Sequence, residues 1–306
     1  MSPFRTPRPP ASAVNLFSLP LMQTQNHLIA DDPRIPPRIQ RPSFRWSDIW
    51  RAPLHDFPIR DEILYQYLPL SAGMDVLEIG PGSGFTAFRL ARQVRSLTLV
   101  DVAVEVVTDL DRQLSFLNNV STVCADVSQP GFAKRLDCRF DAAYALDVFE
   151  YLKNPGICLS NLAEVIRPGG SLLISYPNVP PPEGDGVTFF SNVAALDGLI
   201  KNAGFCRWET FAVRLRPWAA KTYRGLHEWP LRSYRWLHHQ ERDGQPQTYE
   251  ATWAFRHRRK LLPYKIPLHF LWATLDLTIK AGGGVFGVEP IVESILGRQL
   301  VIRAWK

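Results

Sequence analysis

A glutamate and three glycines are spaced so that they could hold a ligand against the backbone. The run VLEIGPGSGFTA (76–87) reads as a strand that carries Glu78, followed by a tight turn at Gly80, Gly82 and Gly84 into a helix. Glycine is required where the backbone passes close under a ligand, and the first N–H groups of a helix have no partner inside the helix. The spacing therefore predicts a ligand-binding turn between a strand and a helix.

The same turn also fits a dinucleotide-binding pattern. Residues 82–87 match G-x-G-x-x-A, a pattern that places the pyrophosphate of a cofactor at a helix N-terminus. The pattern is short, and a single match also occurs in ordinary glycine-rich turns. On the turn alone, a nicotinamide-dependent oxidoreductase and a turn without a ligand both remain open.

Acidic residues at the ends of three further predicted strands indicate what kind of ligand the turn could bind. Asp101 ends the second strand, where a carboxylate can accept hydrogen bonds from both hydroxyls of a ribose. Asp126 ends the third strand and could accept a hydrogen bond from the exocyclic amine of adenine, and Asp147 follows the fourth. Because the carboxyl ends of parallel strands meet at the edge where ligands bind, this succession favours a nucleoside-bearing ligand over unrelated loop caps.

The elements that must position these residues alternate between strands and helices. Strands are predicted at 75–80, 97–102, 120–126, 140–146, 171–177, 205–216 and 298–305, and helices at about 57–70, 85–94, 103–118, 154–167 and 192–203. Short apolar runs separated by amphipathic segments of helix length predict β-α units, and hence an α/β fold with a parallel sheet covered on both faces.

The stretch 73–216 resembles the class I S-adenosylmethionine-dependent methyltransferases. Its E-x-G-x-G-x-G run, which starts at Glu78, matches the first motif of that family. The resemblance implies that Glu78 orients the turn and the methionine end of the cofactor. It also implies that Asp101 holds the ribose hydroxyls and that Asp126 with Val127 contacts the adenine.

The segments around the fourth and fifth strands extend the resemblance. LDVFEYLKNP (146–155) is similar to the family segment written D-V-L-E-H, with Tyr151 where a histidine is common. RPGGSLLISYPN (167–178) is similar to the start of the family's fifth strand. The resemblance implies that Asp147 and Val148 line the reacting side of the cofactor.

The resemblance also implies a fold and a mechanism. The fold is a Rossmann-like sheet of seven strands, six parallel and one antiparallel, with S-adenosylmethionine as cofactor and no metal. Methyl transfer would be an in-line displacement, for which a general base is needed only if the acceptor starts protonated. His227 and Tyr176 are the candidates for that base.

Four segments make up the predicted domain organisation. Residues 1–45 hold nine prolines and six arginines without a stable period and are expected to form a disordered arm. Residues 46–216 form the methyltransferase core, 217–297 an insertion, and 298–306 the final strand. In the family topology the sixth strand ends, and the seventh begins, at the ligand side of the sheet, so the insertion is a candidate cap over the acceptor.

The excess of positive charge lies in a segment that overlaps the predicted insertion. Residues 207–265 hold 13 Lys and Arg against 5 Asp and Glu, interleaved with aromatic residues. This composition suits an anionic small-molecule or glycan acceptor, a membrane surface or lipid-linked acceptor, or nucleic acid. It also suits a plain helical subdomain. The N-P-P-Y motif expected for methylation of nucleic-acid bases is absent, which disfavours that reading, and a non-catalytic adaptor docking on RNA or membrane remains an alternative.

The amino-acid composition limits the class of protein to which the chain can belong. A chain of 306 residues with 46% hydrophobic and 21% charged residues is typical of a globular protein and excludes a fibrous or wholly disordered one. Its longest apolar stretch near the C-terminus, 266–275, is half of the ~20 residues of a membrane-spanning helix, so a cytoplasmic protein is expected. The four cysteines lie among apolar neighbours without a C-x-x-C pair, which predicts reduced core thiols.

Overall fold

The computed structural model describes most of the predicted core. It covers residues 61–136, 138–178, 192–223, 285–289 and 298–306, with the single positions Phe190, Pro267, Phe270, Thr274, Leu277 and Ile291. The predicted arm, most of the predicted insertion and the candidate base His227 lie outside the described residues.

The described chain folds into strands and helices in the predicted order. The strands are β1 (Asp75–Ile79), β2 (Ser96–Asp101), β3 (Val120–Cys124), β4 (Phe140–Leu146), β5 (Ile166–Asn178), β6 (Arg207–Leu215), β7 (Phe286–Glu289) and β8 (Arg298–Trp305). The helices are α1 (Asp61–Tyr67), α2 (Phe85–Leu90), α3 (Val104–Leu114), α4 (Pro155–Val165), α5 (Val193–Asn202) and α6 (Pro217–Tyr223), with short 3-10 turns at Phe132–Arg135 and Phe149–Tyr151.

All eight described strands form one mixed sheet. Their order is β3-β2-β1-β4-β5-β8-β6-β7. Strands β1 to β5 are parallel to one another, while β8 is antiparallel to both β5 and β6. Strand β6 therefore runs in the same direction as β1 to β5, as predicted.

The prediction of seven strands is wrong by one. Strand β7 pairs antiparallel with β6 from Ala212 to Leu215 and lies inside the segment 217–297 that the sequence assigned to the insertion. It has only four residues and contains Gly287, so it shows neither the length nor the composition that marks a strand in sequence.

Helices cover both faces of the sheet, as predicted. Side chains of α1, α2 and α3 pack on one face, and those of α4 and α5 pack on the other. Successive strand residues alternate between the two cores, so Leu77 belongs to the second core while Val76 belongs to the first. No helix among the described residues is long and apolar enough to cross a membrane.

An ion-pair network joins the amino ends of β1, β4 and β5. Asp75 accepts hydrogen bonds from Arg95 and from Arg167, and Arg167 also pairs with Asp141 at 2.6 Å. The hydrogen bonds from Arg95 hold the pKa of Asp75 well below its usual range. The network therefore holds the strands together at the edge of the sheet opposite the glycine turn.

The expectation for the cysteines is wrong at three of four positions. Cys158 on α4 is buried in the second core, whereas Cys124, Cys138 and Cys206 are exposed. Cys124 ends β3, which has a strand neighbour on one side only, so apolar neighbours in sequence do not bury it there.

Candidate functional site

The predicted turn after β1 has a backbone shape that requires glycine. Gly80, Gly82 and Gly84 have φ angles of 66°, 55° and 76°, in the left-handed region. A Cβ atom at Gly80 would lie 2.3 Å from Cγ2 of Val148, and one at Gly84 would lie 2.4 Å from Cδ2 of Leu110. Both the available space and the backbone conformation therefore disfavour any residue other than glycine, and the loop after β4 lies directly against the glycine turn.

The structure brings the predicted acidic residues to the same edge of the sheet. Gly80 N donates a hydrogen bond to Val100 O (2.8 Å), and Ala125 N donates one to Asp101 O (2.9 Å). These bonds continue the parallel ladders by one residue beyond the strands, so the glycine turn, Asp101 and Asp126 follow neighbouring strands at their carboxyl ends. Four strands thus present their following loops side by side.

Asp101 and Asp126 both hold the loops that follow them. Asp101 Oδ1 accepts a hydrogen bond from Ala103 N at 3.0 Å. Asp126 Oδ1 accepts one from Ser128 N (2.8 Å), and its Oδ2 accepts one from Gln129 Nε2 (3.1 Å). Each carboxylate oxygen has two lone pairs, so these contacts shape the loops and leave acceptor capacity for a ligand.

The loop after β3 depends on a residue that the sequence did not single out. Asn161 on α4 is buried, and its Nδ2 donates to the carbonyl oxygens of Val127 and Gln129, both at 2.8 Å. The side chain of Val127 is buried in the second core. Since that side chain faces the core, a contact of Val127 with a ligand would have to come from its backbone.

Asp147 after β4 is held by another unpredicted residue. Its φ of 53° makes it the one non-glycine residue with a positive φ among those described. Its amide donates to Ser175 O (2.7 Å), and its Oδ1 accepts from Gln299 Nε2 at 2.9 Å. The next residue, Val148, is the one that lies against Gly80.

Glu78 is buried beneath the glycine turn and carries an unusual charge state. Burial is the main cause that raises its pKa to about 8; the hydroxyl of Tyr144 lowers the pKa, and the charges of Asp101 and Asp61 add smaller increases. The Oε2 atom of Glu78 has no hydrogen-bond partner in the described part of the chain. Glu78 is therefore largely protonated at neutral pH without a ligand.

A buried ion pair lies on the same face of the sheet as Glu78. Asp61 on α1 and Arg89 on α2 are both buried and approach to 3.4 Å. A buried charge pair of this kind fixes the position of α1 relative to α2, because removing either partner would leave an uncompensated charge.

Tyr176, a candidate base, is unsuited to that role in this arrangement. Its ring is fully buried and packs against Phe149 and Phe190, with ring centroids 5.3 and 6.4 Å apart. Burial, with a smaller effect from Glu150, raises the pKa of the Tyr176 hydroxyl well above its usual value. A phenol that is harder to ionise cannot accept a proton at neutral pH.

The described residues offer no evident metal site. No group of three or more His, Cys, Asp or Glu side chains within the described ranges could hold a metal ion. Asp101, Asp126 and Asp147 lie at the carboxyl ends of β2, β3 and β4, one at each strand. That distribution suits an extended ligand with several hydrogen-bond donors.

Comparisons with known proteins agree with the geometry. A family model described as a methyltransferase domain matches residues 55–241, which is more than half of the chain. The matched range includes every strand from β1 to β6 and the loops that follow β1 to β4.

Curated relatives carry related names. A ubiquinone biosynthesis O-methyltransferase of Xanthomonas euvesicatoria is 30% identical over 140 residues, which is 45% of this chain and 58% of that protein. One from Alkalilimnicola ehrlichii is 27% identical over 130 residues, 42% of this chain and 52% of that protein. The chain thus spans about half the length of these relatives.

A solved structure shares the fold. Phosphoethanolamine N-methyltransferase 2 of Haemonchus contortus, in complex with phosphomonomethylethanolamine and S-adenosylhomocysteine, is 14% identical with a TM-score of 0.50. The match covers 81% of this chain and 52% of that one.

The contact between Gly80 and Val148 generates a first prediction. We expect Gly80→Ala to lower the free energy of unfolding by about 2–4 kcal/mol, because it adds a left-handed alanine and an overlap with Val148. Gly169→Ala is the matched control, since Gly169 has φ 80° and nothing within 4 Å of an added Cβ. Urea denaturation would measure both.

A double-mutant cycle separates the two effects. Combining Gly80→Ala with Val148→Ala should relieve the steric overlap and restore the stability that it cost. The loss caused by the left-handed backbone at position 80 should remain. A Gly80→Ala variant no less stable than Gly169→Ala would contradict the close approach.

The pKa of Glu78 generates a second prediction, about stability and pH. The folded protein keeps a proton on Glu78 that the unfolded chain releases near pH 4.5. The contribution of Glu78 to the free energy of unfolding is therefore largest below pH 4.5 and is lost as the pH rises to about 8. Relative to Glu78→Gln, the wild-type protein without cofactor should lose up to about 1.4 kcal/mol of stability per pH unit across this window.

Urea denaturation at several pH values would measure this difference. Glu164→Gln, which removes an exposed carboxyl on α4, controls for the loss of an acidic group. A difference between wild type and Glu78→Gln that stays constant with pH would show that Glu78 is ionised in the fold.

Proposed function

The chain belongs to the class I S-adenosylmethionine-dependent methyltransferase family, and we propose that it methylates an oxygen atom of a small-molecule acceptor. Family membership sets aside the nicotinamide-dependent alternative. The acceptor atom is proposed from the curated relatives, which are named O-methyltransferases.

The observation that carries the proposal is the row of loops at the carboxyl edge of β1 to β4. The glycine turn gives a ligand access to bare backbone, and its closest neighbour across the edge is Val148. We assign Gly80, Gly82 and Gly84 to the backbone contacts of the cofactor. An extended nucleoside with a methionine chain has the length and the donors to contact several such loops at once.

The side chains at this edge suit a cationic cofactor. Asp101 is assigned to the ribose hydroxyls, Asp126 to the adenine amine, and the backbone of Val127 to the adenine ring. Glu78, with a buried acceptor atom that lacks a partner among the described residues, is assigned to the methionine end. Its neighbouring carboxylates favour a positively charged ligand over a pyrophosphate, which supports S-adenosylmethionine.

When bound, the cofactor supplies a methyl group that is already activated on a sulfonium cation. The protein then has to align an acceptor lone pair with the bond that breaks and to exclude water. Asp147 and Val148 are assigned to the reacting side, where the loop after β4 closes on the glycine turn. Val148 supplies an apolar surface and Asp147 a carboxylate that favours positive charge.

An acceptor hydroxyl would also have to lose a proton. Glu78 is buried and largely neutral, and the raised pKa of Tyr176 removes it from consideration. His227, which lies outside the described residues, stays the proposed base. A phenolic acceptor would need the least assistance, because its hydroxyl is the more acidic.

The insertion is proposed as the acceptor-binding cap. Gln299 at the start of β8 pairs with Val213 near the end of β6, so both flanks of the segment 217–297 meet the sheet at its ligand edge. The positive charge of that segment suits an anionic acceptor group or contact with a membrane surface. We propose a small-molecule acceptor first, with glycan, lipid-linked and nucleic-acid acceptors as outcomes of the test.

Methyl-labelled S-adenosylmethionine tests this proposal directly. The protein would be incubated with the cofactor and with small-molecule, carbohydrate, lipid and nucleic-acid fractions of a cell extract. We expect label in the small-molecule fraction, in a product whose mass spectrum places the methyl group on oxygen.

Asp101→Ala is the control variant for the same assay. It should bind the cofactor more weakly by about 1–3 kcal/mol in calorimetric titration, because a charge-assisted hydrogen-bond acceptor is lost. Label confined to nucleic acid, or no transfer by a protein that binds the cofactor, would contradict the proposed acceptor class.

A further inference from the structure

Gln299 links three strands at the ligand edge of the sheet. Its side-chain Nε2 donates one hydrogen bond to Asp147 Oδ1 at 2.9 Å and one to Ser175 Oγ at 2.8 Å. Gln299 is on β8, Ser175 is on β5, and Asp147 follows β4. The amide therefore connects the strand that follows the insertion to the loop on the reacting side.

The chemistry of the contact fixes the orientation of the amide. A carboxylate accepts hydrogen bonds and cannot donate them, so the NH₂ group must face Asp147 and the carbonyl oxygen must point away. The Ser175 hydroxyl can serve as an acceptor for the second N–H. Both hydrogens of one amide nitrogen are used, which a hydroxyl or an apolar side chain could not reproduce.

The residue that Gln299 holds is under conformational constraint. Asp147 has a left-handed backbone with φ of 53°, which residues other than glycine rarely adopt. The following residue, Val148, fits against Gly80 without space for one more methyl group. A small rotation of Asp147 would therefore move Val148 into or away from the glycine turn.

We infer that Gln299 is a positioning residue for the cofactor site, acting through Asp147. Its amide holds the carboxylate of Asp147 at the ligand edge and keeps the left-handed turn that places Val148 over Gly80. Because Asp147 and Val148 are assigned to the cofactor only by the proposed function, this inference rests on that proposal.

Two substitutions at Gln299 test the inference by calorimetric titration with S-adenosylhomocysteine. Gln299→Leu keeps a similar side-chain size and removes the donor, and we expect its Kd to rise about tenfold. Gln299→Glu places a carboxyl group against Asp147, the one ionisable hydrogen-bond partner of Gln299 in the described part of the chain. S-adenosylhomocysteine is the probe because it has no sulfonium charge for the added carboxylate to attract.

The Gln299→Glu variant provides a readout that a purely structural role would not give. At about pH 5.5 the paired carboxyl groups can share a proton and restore a hydrogen bond, whereas at about pH 8 both are ionised and repel. We expect the ratio of its Kd to the wild-type Kd to be several-fold larger at the higher pH, in a variant that remains folded by thermal unfolding at both.

Gln113→Glu is the matched control. Gln113 on α3 donates to Asp109 Oδ2 at 2.6 Å, which reproduces the glutamine–aspartate contact away from the ligand edge. A Gln299→Leu variant that binds within twofold of wild type, or a Gln299→Glu variant with no more pH dependence than Gln113→Glu, would overturn the inference. Failure of the wild-type protein to bind S-adenosylhomocysteine would instead overturn the proposed cofactor site, and the inference with it.

Discussion

The lack of space between Gly80 and Val148 is the constraint around which the ligand edge is arranged. The turn after β1 has no side chain at Gly80, Gly82 or Gly84, and Val148 in the loop after β4 occupies the volume that a side chain at Gly80 would fill. That loop in turn needs a left-handed residue at Asp147, which hydrogen bonds from Gln299 and to Ser175 hold in place. Three strands that are distant in sequence thus determine the position of one glycine turn.

Buried ionisable side chains form a second feature of this region. Asp61 and Glu78 are both buried, Arg89 lies 3.4 Å from Asp61, and burial, with smaller effects from the charges of Asp101 and Asp61, keeps a proton on Glu78. A region of this kind suits a ligand that carries positive charge, since each carboxylate that loses water on burial regains a favourable interaction when a cation arrives. The ion-pair network at the opposite edge, centred on Asp75, holds the strands from the other end.

Local patterns in the sequence predicted the parts of the site that local structure determines. The end of β2 at Asp101 and the glycine turn follow from spacing, because each lies within one β-α unit; β3 ends at Cys124, two residues before the predicted end at Asp126. Gln299 could not be predicted, since its contact with Asp147 spans 152 positions, and Asn161 was missed because its contact with Val127 crosses from α4 to another loop. Strand β7 was missed because only its pairing with β6 makes it a strand. The burial of Tyr176 depends on packing against Phe149 and Phe190, which the spacing of residues in the sequence does not reveal.

The central claim is that the loops after β1 to β4 together bind S-adenosylmethionine. Hydrogen exchange measured by mass spectrometry, with and without S-adenosylhomocysteine, tests it most directly. The account predicts slower exchange in peptides covering 76–87, 101–103, 125–128 and 146–149, with α5 (Val193–Asn202) unchanged as an internal reference. If the ligand binds and the exchange rates of these four peptides do not change, the cofactor binds elsewhere and the account is contradicted.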